Sequence, residues 1–149
     1  MNALEFLKRD HDAIAALLAG AGTYQEKKRS FERIKSELES HATLEETLFY
    51  PVLQTEEPMK LLADDAKAQH RLMRKLLDDM ANQDGAEFEK NFQTLTAEVQ
   101  LHFTGEENEI FPQVARLKSE SDLGRLGERM AIEKQTGPST QRAPARSTI

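Results

Sequence analysis

Two eleven-residue stretches of the chain share one pattern, HATLEETLFYP at 41–51 and HFTGEENEIFP at 102–112. Each opens on a histidine and carries a glutamate four residues later. Residues four apart lie on one face of a helix, so His41 with Glu45, and His102 with Glu106, can each aim a nitrogen and a carboxylate oxygen at a single point. These are metal-ligand types. The chain has no cysteine, which removes disulfides, thiolate metal sites, iron–sulfur clusters and thioether-linked haem. An HxxxE pair alone is common in Glu-rich helices; its duplication, in register with further histidines, is the signal.

The remaining histidines are His11 and His70, and the periodicity around all four says what must position them. Leu4, Leu7, His11, Ile14 and Leu18 form a stripe spaced three and four apart, as an amphipathic helix requires. A second stripe is Phe31, Ile34, Leu38, His41, Glu45, Leu48 and Val52. A third, entered through Pro58, is Met59, Ala63, Ala66, His70, Met73, Leu77 and Met80. A fourth is Phe88, Phe92, Leu95, Val99, His102, Glu106 and Ile110. Each helix points one histidine inward. Short connections favour antiparallel neighbours, so the expected fold is all-α, an up-down-up-down four-helix bundle. Equal leg lengths at about 1.5 Å per residue bring the histidines to one level. The first and second halves repeat the same design, two helical hairpins related by a pseudo-twofold axis.

Imidazoles and carboxylates at the centre of an apolar bundle cost several kcal/mol each if left unpaired. Metal coordination satisfies them together. Four nitrogens and two carboxylates could fill one octahedral ion, or the carboxylates could bridge two ions. The donor set by itself would accept zinc or manganese as well as iron. Glu46 and Glu107 turn about 100° off the seam and are expected to be solvated. Pro51 and Pro112 each remove a helical hydrogen bond, so both helices should bend or end just past the site. Tyr50 lies about 140° from Glu45 on an ideal helix, but a π-bulge before Pro51 would swing it inward as an additional ligand.

The length, 149 residues, suits one domain. Residues 1–118 form the expected bundle. Residues 119–136 read as a short helical extension capped by Ser121, with Leu123, Leu126 and Met130 against the bundle. Residues 137–149, rich in Pro, Ser, Thr and Arg, read as a flexible basic tail. A net charge of -6 is a poor match for nucleic acid. The charged N-terminus lacks a secretory core and no stretch would span a bilayer, so a cytoplasmic location is expected.

With DH at 10–11, HATLEE and FYP at 41–51, AQH at 68–70, and HFTGEE and IFP at 102–112, the chain resembles the hemerythrin-like proteins of the HHE cation-binding family over roughly residues 1–118. The resemblance implies two Fe ions in an oxo- or hydroxo-bridged non-haem di-iron centre. In it His11, His41, His70 and His102 are terminal ligands, while Glu45 and Glu106 bridge. Oxygen-carrying members have a fifth histidine one turn after the third-helix one. Here that position is Arg74, whose guanidinium has no lone pair for a metal, which opens a coordination position and weakens the case for simple oxygen transport.

The expected function is therefore binding or consumption of a small oxidant, O2, H2O2 or NO, with catalase-like peroxide turnover as one form. Two alternatives stand beside it. One is an iron store or donor that supplies repair of damaged iron centres, or a non-enzymatic oxygen or redox sensor. The other is a zinc or metal-free bundle that acts through a partner surface. Oligomeric state leaves no trace in the sequence.

Overall fold

A computed structural model describes residues 1–147, with side chains described through residue 136. Among them the secondary structure is helical, with no strand. The elements are α1 (Ala3–Gly20), α2 (Tyr24–Leu44), a π-helical turn (Glu45–Phe49) running into α3 (Tyr50–Leu53), α4 (Glu57–Met80), α5 (Gly85–Gly105), a second π-helical turn (Glu106–Ile110) running into α6 (Phe111–Leu117), and α7 (Glu120–Ser147). Four long rods thus form the bundle, and α7 lies outside it, packed chiefly on α1 and then on α2.

Local chemistry starts each rod. Asn2 and Thr23 each complete a capping box, accepting from the N–H of Glu5 and Glu26 while those glutamates reach back to the cap residue, an arrangement that satisfies two orphan donors per helix. Pro58 sits in the first turn of α4. Gly85 opens α5 at φ 62°, a backbone region that side chains with a Cβ rarely enter. The cap of the last helix lies two residues before the expected one: Ser119, not Ser121, accepts from the Asp122 N–H through its hydroxyl.

The stripes read from the sequence are the buried faces. On α4 and α5 every stripe residue is buried, from Met59 to Met80 and from Phe88 to Val99 and His102. The stripes depart at the start of α1, where Ala3 is buried and Leu4 only partly so, and past the first π turn, where Leu53 is buried in place of the expected Val52. A π turn adds one residue per turn, which shifts the following register by one position. Two apolar clusters flank the histidine level. One, at the far end, is built from Ile14, Phe31, Leu38, Leu77, Phe88 and Leu95; the other gathers Leu7, Phe49, Tyr50, Leu53, Met59 and Val114 with Leu123, Leu126 and Met130 of α7.

Helix α7 runs past residue 137, where the sequence suggested a tail would begin, and helix propensity gives no reason for it to continue through Gly137 and Pro138. The side chains of residues 137–149, and residues 148 and 149 entirely, lie outside the described residues. No described helix is long and apolar enough to cross a membrane.

Candidate metal centre

The two π turns are what complete the site. Each precedes a proline, Pro51 or Pro112, which has no N–H to donate and whose ring crowds the carbonyl four residues back. Widening the turn by one residue relieves that clash. The N–H of Tyr50 then bonds the Glu45 carbonyl, and that of Phe111 bonds the Glu106 carbonyl. A residue five positions on therefore stands over the glutamate, and Tyr50 points into the bundle as the sequence anticipated for this turn. The matching turn at Glu106–Ile110 follows from the same proline at the same spacing.

All four histidines and both glutamates meet between the two apolar clusters, each no more than 2% exposed. His11 Nε2 lies 3.1 Å from Glu106 Oε1 and 3.7 Å from Glu45 Oε2, and His41 Nε2 lies 3.2 Å from Glu45 Oε2. On the other side, His70 Nε2 lies 3.1 Å from Glu45 Oε1, and His102 Nε2 lies 3.4 Å from Glu106 Oε2. Two four-residue groups result, His11, His41, Glu45, Glu106 and Glu45, His70, His102, Glu106, in each of which one ligand atom per residue lies within 4.8 Å of the others. Both groups contain both glutamates, so each carboxylate spans the two.

Outward-facing nitrogens fix the rings. His11 Nδ1 is 2.7 Å from Glu107 Oε2, His41 Nδ1 2.6 Å from Asp10 Oδ2, His70 Nδ1 2.7 Å from Glu46 Oε2, and His102 Nδ1 2.5 Å from Gln69 Oε1. Each Nδ1–H donates to an acceptor oxygen, so each neutral ring turns its Nε2 lone pair inward, the arrangement that orients a metal-binding histidine. The pairing obeys the twofold: the second glutamate of each EE pair holds the histidine of the opposite hairpin, and the residue preceding His11 or His70 holds the next histidine along. The expectation that Glu46 and Glu107 are solvated is thus corrected. Their side chains are 29% and 24% exposed, and the added residue of the π turn carries them to the neighbouring helix. The DH and AQH motifs held the corresponding signal for Asp10 and Gln69, which spacing on one helix could not reveal because both act across helices.

Inside the site, lone pairs crowd together. His70 Nε2 and His102 Nε2 are 3.1 Å apart. The Tyr50 hydroxyl is 2.5 Å from Glu106 Oε2, 2.9 Å from Glu45 Oε1 and 3.2 Å from His70 Nε2, yet it has one proton to give. On the other half, His11 Nε2 faces Glu106 Oε1 at 3.1 Å and His41 Nε2 faces Glu45 Oε2 at 3.2 Å, all four atoms buried and none in hydrogen-bond geometry. Four such atoms converging in an apolar interior need a cation.

In the metal-free protein, protons answer the same demand. Burial depresses the imidazoles, but the facing carboxylates of Glu106 and Glu45 outweigh it and raise His11 to about 9. Against burial, Glu45 and Asp10 raise His41 to about 10, and Glu45 and Glu46 raise His70 to about 9. Burial and the two glutamate charges push the Tyr50 phenol far above its ordinary range. Burial and the neighbouring Glu45 charge raise Glu106, while the surrounding histidines overcome burial to hold Glu45 low.

Residues 2–114 match the hemerythrin HHE cation-binding domain. The chain belongs to that family. A hemerythrin HHE cation-binding domain-containing protein from Mycobacterium kansasii, known from its crystal structure, superposes with a TM-score of 0.82 at 25% identity, over 97% of this chain and 93% of that one. No curated protein matches the chain. In this HHE domain Arg74, one turn after His70, points its guanidinium at Glu46, with Nη1 2.8 Å from Oε2 and Nη2 3.1 Å from Oε1. It holds the partner of His70 rather than offering a donor of its own.

Two of the positions that break the twofold of the HHE repeat touch the histidine rings. Tyr50 corresponds to Phe111, whose ring stacks 5.8 Å from His11 and carries no hydroxyl. Ala42 corresponds to Phe103, whose ring covers His11 at 3.9 Å. Where Ala42 is small, a cavity of about 10 Å³ remains beside His41, His70 and His102, walled by Leu38, Met73 and Phe103.

Proposed function

We propose that this HHE domain is a non-haem di-iron protein that binds or consumes a small oxidant, O2, H2O2 or NO. His11 and His41 would hold one iron and His70 and His102 the other, with Glu45 and Glu106 shared by both and Tyr50 offering its oxygen on the His70 side. The observation that supports this reading is the set of four buried atoms that converge without hydrogen-bond geometry, His11 Nε2, His41 Nε2, Glu45 Oε2 and Glu106 Oε1, beside a second half where the Tyr50 phenol lies among the other donors. A bound iron pair would supply two electrons, one from each metal, which matches the two-electron reduction of O2 to peroxide or of H2O2 to water.

The protein's own residues do the rest. Glu46, Glu107, Asp10 and Gln69 hold the rings so that each Nε2 faces inward. Phe111, lacking a hydroxyl, leaves the His11 half one donor short of the Tyr50 half, which gives a small ligand room. The cavity of about 10 Å³ has room for about one water-sized molecule. Its walls of Leu38, Met73, Leu77 and Phe103 are apolar, and the low dielectric there strengthens the site's electrostatics.

Metal quantitation with an ultraviolet-visible spectrum of the reconstituted protein tests the reading. Two irons per chain with near-ultraviolet absorption and a visible phenolate band are expected; less than one iron per chain would overturn it. Peroxide turnover by the iron-loaded protein, lost in His70→Ala, marks catalysis. Iron handed to an acceptor without turnover marks the iron-donor function instead.

A further inference from the structure

The family match ends at residue 114, but the structural likeness covers 97% of the chain, and the helix beyond the bundle reaches the candidate metal centre. Leu123, Gly127, Met130 and Lys134 fall four, three and four residues apart, one stripe of α7. Leu123 and Met130 are buried. At Gly127 the helix backbone passes against the start of α1. A Cβ built there would lie 2.7 Å from Asn2 C and 2.9 Å from Ala3 N, and against the Met1 carbonyl oxygen. The fourth position of this inward stripe is a lysine, and a half-buried ammonium in such a place needs partners.

Its partners bear on the site. Lys134 Nζ donates to Asp10 Oδ2 at 2.9 Å and lies 3.8 Å from Glu37 Oε1. Asp10 Oδ2 is the same oxygen that accepts the His41 Nδ1–H at 2.6 Å. Asp10 is on α1, beside His11; Glu37 is on α2, one turn before His41. Lys134 therefore ties together the two helices that carry His11 and His41, through an atom one hydrogen bond from a ring that faces inward. Each of the other ring-holding carboxylates differs: Glu46 is clasped by Arg74 from α4, and Glu107 is held in the bundle itself.

We infer that α7 is a wall of the metal centre and that Lys134 is a positioning residue, fixing Asp10 and through it the His41 ring. The inference rests on the metal reading above, but its first test does not. In the metal-free protein the His41 Nδ1 proton, held between two buried groups, is expected to exchange with solvent slowly by NMR. It should exchange measurably faster in Lys134→Met and stay slow in Lys134→Arg, which keeps both charge and reach.

The second test titrates ferrous iron anaerobically against a colorimetric chelator. Loss of an outer partner of a metal-binding histidine typically weakens affinity about 10- to 100-fold. Lys134→Met is expected to weaken one of two irons about ten-fold, and Asp10→Asn at least as much. The double variant should be no weaker than Asp10→Asn alone, because both changes act through one oxygen. Should Lys134→Met fail to fold, Lys134→Gln, which keeps a donor without the charge, replaces it. Unchanged proton exchange with unchanged iron affinity in the lysine variants, or losses that add in the double variant, would overturn the inference. Altered exchange in a chain that binds no iron would uphold the link from Lys134 to His41 and overturn the metal reading instead.

Discussion

At the scale of single residues, the site is defined as much by what its two halves do not share as by their symmetry. Tyr50 and Phe111 occupy equivalent places, and only one has an oxygen. That difference predicts the outcome of exchanging them. Phe111→Tyr brings a second hydroxyl to the His11 half; the iron-loaded variant should gain visible absorption and lose the spectral change that azide produces in the parent. Tyr50→Phe should lose the visible band while keeping its iron. An azide response that survives in Phe111→Tyr would mean that the small-ligand position is elsewhere. The asymmetry extends outward, since three histidines are held by carboxylates and His102 by the neutral amide of Gln69.

At the scale of elements, the prolines and glycines decide the geometry. Pro51 and Pro112 open the two π turns, which bring Tyr50 over Glu45 and carry Glu46 and Glu107 across to the opposite hairpin. Gly127 does the equivalent for α7, because the N-terminal backbone of α1 occupies the space a side chain would need. Backbone atoms cannot rotate away as a side-chain tip can, so Gly127→Ala must push α7 off α1. A loss of about 1–3 kcal/mol is expected, read as a lower denaturant midpoint of the metal-free protein. Gly124, one turn earlier, has open space around it; Gly124→Ala should leave the midpoint unchanged or raise it.

At the scale of the whole molecule, protons and a metal ion compete for the same atoms, and the signs follow from the protonation states. His11, His41 and His70 are raised to about 9, 10 and 9 in the folded metal-free chain, above the unfolded value of about 6.5. Their contribution to stability is fully present below about pH 6.5 and is lost as pH rises through 9 to 10. Glu46 has the opposite sign. Burial opposes its charge, yet His70 and Arg74 hold it at about 2, so its contribution is present above its unfolded value and fades as pH falls toward 2. Denaturant midpoints of the metal-free protein should therefore decline from pH 6.5 to 10. Iron must displace the same protons, so its affinity should rise over that range, and the stability gained on loading should be larger at pH 8 than at pH 6. A metal-free chain that grows more stable across that interval would contradict this assignment of the protons.

Much of this protein was legible without coordinates. The four stripes, the one histidine in each and the HxxxE repeat are local periodic features, and the helical period alone places them on inward faces, so the bundle and the convergence of His11, His41, Glu45, His70, His102 and Glu106 follow from spacing. The first π turn was legible only as an alternative, since an ideal helix puts Tyr50 about 140° from Glu45. What spacing could not give were the contacts between helices. Glu46 with His70, Glu107 with His11, Asp10 with His41 and Gln69 with His102 each join residues whose separation along the chain carries no signal. The one-residue shift from Val52 to Leu53 and the reach of Lys134 from α7 to Asp10 are of the same kind. They depend on how far one rod is rotated against another, a quantity fixed only when the apolar faces have closed together.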